Sequence, residues 1–141
     1  MLQSGQDIHA TPILNGDYFE GARILLVKHD QDESIGFITN RASGKQLNEL
    51  VEFSNCPPIP LREGGPVGQD HLYMLHRRPD LINGGQRVGE GIYWGGSMDD
   101  LVTALAVQEI KEDQFTLFLG YCGWDAGELD QEWMEGCWLQ Q

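Results

Sequence analysis

At 141 residues, with 40% hydrophobic and 22% charged positions, the chain has material for one cored globular domain and too little for two. Nine Lys and Arg against 22 Asp and Glu leave a net charge of −13. That balance opposes direct nucleic-acid binding, which rests on basic side chains displacing counterions from phosphates.

The chain opens on a polar stretch, residues 1–12, expected to be loose up to Pro12, with Asn15-Gly16 marking a turn. No basic segment leads into an apolar one there, and no apolar run reaches the roughly 20 residues of a membrane helix, so a soluble cytosolic protein is expected. ARILLVKH, with its continuous Ile24 to Val27, predicts a strand buried on both faces. DQDES then predicts a five-residue hairpin loop into a second strand, IGFIT. QLNELVEF places Leu47, Leu50 and Val51 on one stripe of a short helix, stopped by NCPPIP. HLYMLHR predicts a strand, and QRVGEGIYWGG contains another. SMDDLVTALAVQEI carries the clearest helix signal, with Ser97 as N-cap and Leu101, Val102 and Leu105 on one face. QFTLFLGYC alternates as a strand. In GWDAGELDQEWMEG, Asp125 and Glu128 have the spacing of a capping box, Leu129 and Trp133 of a buried side, and Glu128, Glu132 and Glu135 of an exposed face. Gly136 is placed to end that helix. Elements in this order, without a βαβ rhythm, predict an α+β fold with a largely antiparallel sheet.

Chemistry is harder to find. GGQRVGEG has phosphate-loop glycine spacing but Glu90-Gly91 where Lys-Ser/Thr is needed, and GGSMD lacks the second glycine of a hydrolase elbow. HDQDES begins like a calcium loop, but Ile35 and Arg41 stand at its glycine and last-ligand positions. Cys56, Cys122 and Cys137, three in number and without C-x-x-C spacing, argue against a disulfide framework and a zinc site and fit a reducing compartment. A Cys122–Cys137 contact stays open. No metal or cofactor is expected.

One pattern remains. Asn40-Arg41, Gly64-Gly65, Gly95-Gly96 and Tyr121 to Trp124 all follow predicted strands, and His76 ends another. Two readings stand: a ligand or partner cleft built from Asn40, Arg41, Gly64, Gly65, His76, Gly95, Gly96, Tyr121 and Trp124, or a crossing where bare backbone lets a sheet bend.

The ordered pieces ATP at 10–12, LNGDYF at 14–19, GFITNR at 36–41, GGPV at 64–67, LYMLHR at 72–77, GIYWGG at 91–96 and GYCGWDAGELDQE at 120–132 resemble the YqgE/AlgH family of small bacterial proteins. The resemblance implies an α+β fold with a split sheet curled into a pseudo-barrel and flanking helices, in one cytosolic domain over residues 1–141. Members carry a transcriptional-regulator label without a DNA-binding motif, and no catalytic residues transfer. Ala42 replaces the usual Pro, Glu128 a usual Gln, and most members continue past the position of Trp138, so the family's C-terminal extension is expected to be missing. The leading expectation is a non-enzymatic regulatory protein acting through an unknown protein partner, without direct DNA or membrane contact. The alternative is a small-ligand binder or enzyme using the cleft at Asn40, Arg41 and Tyr121.

Overall fold

The computed structural model describes residues 2–140, and its framework is one ten-stranded sheet with two α-helices. In chain order the strands are β1 (Asp7–Ala10), β2 (Arg23–His29), β3 (Glu33–Ile38), β4 (Ala42–Gln46), β5 (Pro60–Glu63), β6 (Val67–His76), β7 (Gln86–Gly89), β8 (Ile92–Trp94), β9 (Phe115–Asp125) and β10 (Trp138–Gln140). The helices are α1 (Met98–Ala106) and α2 (Glu128–Met134).

The path through the sheet is β10-β1-β2-β3-β9-β6-β8-β7, and the β4–β5 hairpin joins it where β5 runs parallel to β9. Every other pairing is antiparallel. The sheet rolls without closing: Gly89 of edge strand β7 comes so near Gly5 that a methyl there would lie 3.7 Å from the Gly5 Cα. The α+β, pseudo-barrel expectation therefore holds.

Rolling creates three cores, and strand alternation sorts side chains among them. Along β2, Ile24 and Leu26 face an outer cluster with Ile8, Ile38, Trp124, Leu129 and Trp138. Leu25 and Val27 face inward, with Phe37, Leu75, Val88 and Phe118 filling the inside of the roll. A second outer cluster, beneath α1, joins Leu101, Ala104 and Leu105 to Leu61, Met74, Ile82 and Leu117.

Strand β9 serves all three. Up to residue 119 its odd positions face the α1 side; Gly120, in the left-handed region at φ 78°, shifts the pattern. Tyr121 then packs with the inner cluster, while Cys122 and Trp124 enter the α2 side. A left-handed residue within a strand is a bulge device suited to glycine.

Several local expectations need correction. The N-terminal stretch is not loose: Ile8 is fully buried in β1, which pairs with both β2 and β10. The β2–β3 loop has three residues, because Ser34 pairs with His29 inside the ladder and Asp30 accepts from the Asp32 and Glu33 amides. The helix expected at 47–51 is two 3-10 turns, Leu47–Glu49 and Val51–Phe53, separated by extended Leu50. Leu47 is buried and Val51 is 91% exposed, so the two share no stripe. QRVGEGIYW forms a hairpin of β7 and β8.

Helix α1 starts as the sequence indicates, with Ser97 Oγ accepting from the Asp100 amide at 3.1 Å. The start of α2 differs. Glu128 does reach back to the Asp125 amide, but Gly127 is the N-cap and Asp125 closes β9. At its far end the Cys137 amide bonds the Glu132 carbonyl and the Gly136 amide the Trp133 carbonyl, a Schellman closure around left-handed Gly136.

Candidate functional site

The nine residues singled out from sequence come together in three places. Asn40, Arg41, Gly64, Gly65 and Tyr121 gather where β3, β5 and β9 meet. The Asn40 carboxamide accepts from the Arg23 amide and donates to the Gly21 carbonyl, both at 3.0 Å, fixing the chain after β3. Arg41 donates to the Glu20 carbonyl at 3.3 Å, pairs with Glu63 at 3.6 Å and covers the Tyr18 ring at 4.9 Å. Tyr18 in turn donates to Glu63, and burial followed by that carboxylate pushes the phenol up to about 12. The guanidinium is thus already matched by a carboxylate.

At the glycine pair, backbone meets backbone. The Gly64 amide donates to the Leu119 carbonyl at 2.8 Å, and its carbonyl accepts from the Ile38 amide at 2.9 Å and the Cys122 thiol at 3.3 Å. A methyl on Gly65 would overlap the Tyr121 carbonyl group, and one on Gly64 the Gly120 carbonyl oxygen. This is the close passage that bare backbone permits.

His76, Gly95 and Gly96 lie together at the far end of β6. His76 is 1% exposed and stacked on Tyr93 at 5.6 Å. Its Nδ1 accepts from the Arg78 amide at 3.1 Å, which leaves the proton on Nε2. That atom lies close to the Gly95 carbonyl without completing a hydrogen bond. Burial pushes the imidazole pKa down, partly opposed by that carbonyl, so the ring is neutral at pH 7.

Trp124 stands apart in the α2-side core. Its indole and that of Trp138 both donate to Glu132 Oε1, at 3.1 and 2.9 Å. Glu132, expected on an open face, instead draws two core rings to one carboxylate.

Sequence reading missed a second constellation. His29 Nδ1 lies 2.6 Å from Ser34 Oγ, and its Nε2 lies 3.2 Å from Asp130 Oδ1. The residue types are those of a nucleophile, base and acid. Ser34 is only 4% exposed, so the chain of contacts ties α2 to the β2–β3 hairpin. Strand pairing sets His29 beside Ser34, and the docking of α2 brings Asp130 to the ring.

All three cysteines are free thiols. Burial pushes the Cys122 thiol from 9.0 to about 12 and raises that of Cys137. Above about pH 9 the unfolded chain ionises at Cys122 while the folded chain keeps its proton. Stability should therefore fall as pH climbs from about 9 towards about 12. Urea midpoints at pH 8 and 10 test this: Cys122→Ala should show a shallower alkaline loss than the parent, and equal losses would count against it.

Among the described residues no group of three or more His, Cys, Asp or Glu side chains gathers as a metal site, and no helix is long and apolar enough to cross a membrane. Two larger hollows do involve residues the sequence left unmarked. One is a groove of about 660 Å³ between the 3-10 turns, the start of β6 and the start of α1. The other is an aromatic hollow of about 260 Å³ that Tyr121 shares with Phe37, Tyr73 and Trp94.

Comparison with known proteins agrees with this architecture. Residues 8–141 match a family model described as AlgH-like. A UPF0301 protein of Chlorobium luteolum is 36% identical over 137 residues, covering 97% of this chain and 72% of the relative. One from Bacteroides fragilis is 32% identical over 140 residues, covering 99% and 71%. The solution structure of the AlgH protein from Pseudomonas aeruginosa superposes with a TM-score of 0.79 at 28% identity, over 100% of this chain and 80% of that one. A Corynebacterium diphtheriae protein, at 22% identity and a TM-score of 0.78 over 99% and 75%, shares the fold. A rolled, open α+β sheet and a family match over nearly the whole chain lead to one conclusion: this protein belongs to the AlgH-like, UPF0301 family.

Proposed function

We propose that this protein is a cytosolic, non-enzymatic regulatory or adaptor protein that works through protein partners and does not bind DNA directly. The observation that carries this reading is the 660 Å³ groove. Leu50, Phe53, Leu72, Met98 and Leu119 give it an apolar floor, and Val51 stands at its lip, 91% exposed. Glu52, Asp70 and Asp99 on the rim outnumber Lys45, in keeping with the net charge of −13. An apolar floor with an acidic rim suits a short amphipathic segment flanked by Lys or Arg. The same charge supports the exclusion of DNA, which such a surface repels.

Photo-crosslinking in cells tests the reading. A benzoylphenylalanine at Val51 should give a discrete protein adduct, and one at Met134, 83% exposed on α2, should not. No adduct, or the same adducts at both positions, would overturn it. Salt-sensitive binding of duplex DNA at micromolar concentration would overturn the exclusion of DNA.

A further inference from the structure

The inside of the rolled sheet ends in an aromatic hollow that is separate from the partner groove. Strands β3, β6, β8 and β9 supply its walls, through Ile35, Phe37, Tyr73, Trp94 and Tyr121. Phe37 is fully buried and stacks on Phe118 at 4.7 Å, forming the base. Tyr73 leans on Phe37 at 5.8 Å and 45°, and meets Tyr121 edge to face at 5.3 Å and 71°. Tyr73, Tyr121 and Trp94 are only half buried, although rings of this size ordinarily bury their faces in a core.

Bare backbone makes room for both tyrosine rings. A methyl on Gly68 would come within 2.8 Å of the Tyr73 hydroxyl, and one on Gly123 within 3.2 Å of the Tyr121 ring. The hollow's volume of about 260 Å³ falls below the range of drug-sized pockets and suits a single small headgroup.

Charge narrows the ligand class. No basic side chain lines the hollow, and Asp70 stands three residues before Tyr73 on β6. The chain as a whole carries −13. Inclined ring faces with negative quadrupoles, set in a negative field, favour a weakly hydrated cation over an anion or a neutral group of the same shape.

We propose that this hollow binds a small organic cation of the methylated-ammonium class, held by cation–π contact with Tyr73, Tyr121 and Trp94. A strongly hydrated ion such as sodium lacks the apolar surface to leave water for such a site, whereas a trimethylammonium group carries its charge on a greasy shell.

The test uses choline and its neutral isostere 3,3-dimethyl-1-butanol, followed through the backbone amide shifts of Ile35 and Tyr121. Choline should give saturable shifts at those amides with an affinity about tenfold tighter than the isostere. Trp94→Leu should weaken choline binding about tenfold while leaving the dispersed spectrum of the folded chain intact. If that variant does not fold, Tyr121→Leu makes the same measurement from the opposite wall. Equal affinity for the isostere would show an apolar pit with no preference for charge. That result, no saturable shift with choline, or binding indifferent to the wall substitution in a folded variant would each overturn the proposal.

Discussion

Gly65→Ala is expected to cost about 4 kcal/mol, enough to leave a marginally stable domain largely unfolded under mild denaturation. The added methyl would occupy the space of the Tyr121 carbonyl group and the Cys122 amide. Those atoms are ladder backbone, so no side-chain rotamer can relieve the overlap. The neighbouring Gly64 is bonded to Leu119, Ile38 and Cys122, so moving the segment away would break pairings on both sides. Gly16→Ala is the control. Gly16, unlike Gly65, sits in the left-handed region, at φ 87°, and no atom lies within 4 Å of its added methyl. Its cost should be the conformational penalty alone, about 1 kcal/mol. Urea midpoints of the two variants make the comparison. If Gly65→Ala costs no more than Gly16→Ala, the strands can part at the crossing, and tight backbone passage is not what holds the roll.

Glu132→Ala is expected to cost about 3 kcal/mol. Trp124 and Trp138 are both buried, and each directs its indole N–H at the same Glu132 oxygen. Removing the carboxylate leaves the indole donors of two buried rings without their shared acceptor. Glu132→Gln keeps an acceptor oxygen and should cost about 1 kcal/mol, since only the charge-assisted part of two bonds is lost. Tryptophan emission should shift to the red in the alanine variant as α2, anchored by Leu129 and Trp133, loosens from the sheet. An alanine variant as stable as the glutamine variant would mean that the acceptor itself contributes nothing, and that α2 docks through apolar contact alone.

How far the sequence reached is clearest residue by residue. Ile24 to Val27 announced β2 because a strand buried on both faces needs apolar residues at every position. Ser97 and Gly136 announced helix ends because capping is local chemistry. The 47–53 segment misled, since i, i+3, i+4 spacing fits one helical turn and a pair of 3-10 turns nearly as well over so few residues. Strand β1 was missed because DIHA offers a core only Ile8 and the small Ala10, and its partner strand β10 lies some 130 residues away in the chain. The glycine pairs were recognised as a set, but whether they faced ligand or backbone depended on what lay opposite. Opposite Gly65 that is Tyr121, and opposite Gly96 it is Ile82. The aromatic hollow could not be read at all. Its walls come from four strands, and the left-handed conformation of Gly120 turns Tyr121 inward against the parity of the residues before it.

Strand β9 has a further consequence, for the chain as it is made. Its ladder partners β3, β5 and β6 are all synthesised before it, and β3 must wait some 85 residues for Gly123 to Asp125. Until that stretch has left the ribosome, the hairpins upstream present unsealed edges to their surroundings, the condition in which chaperones bind and nascent chains aggregate. Any translation pause before β9 emerges would prolong that exposure.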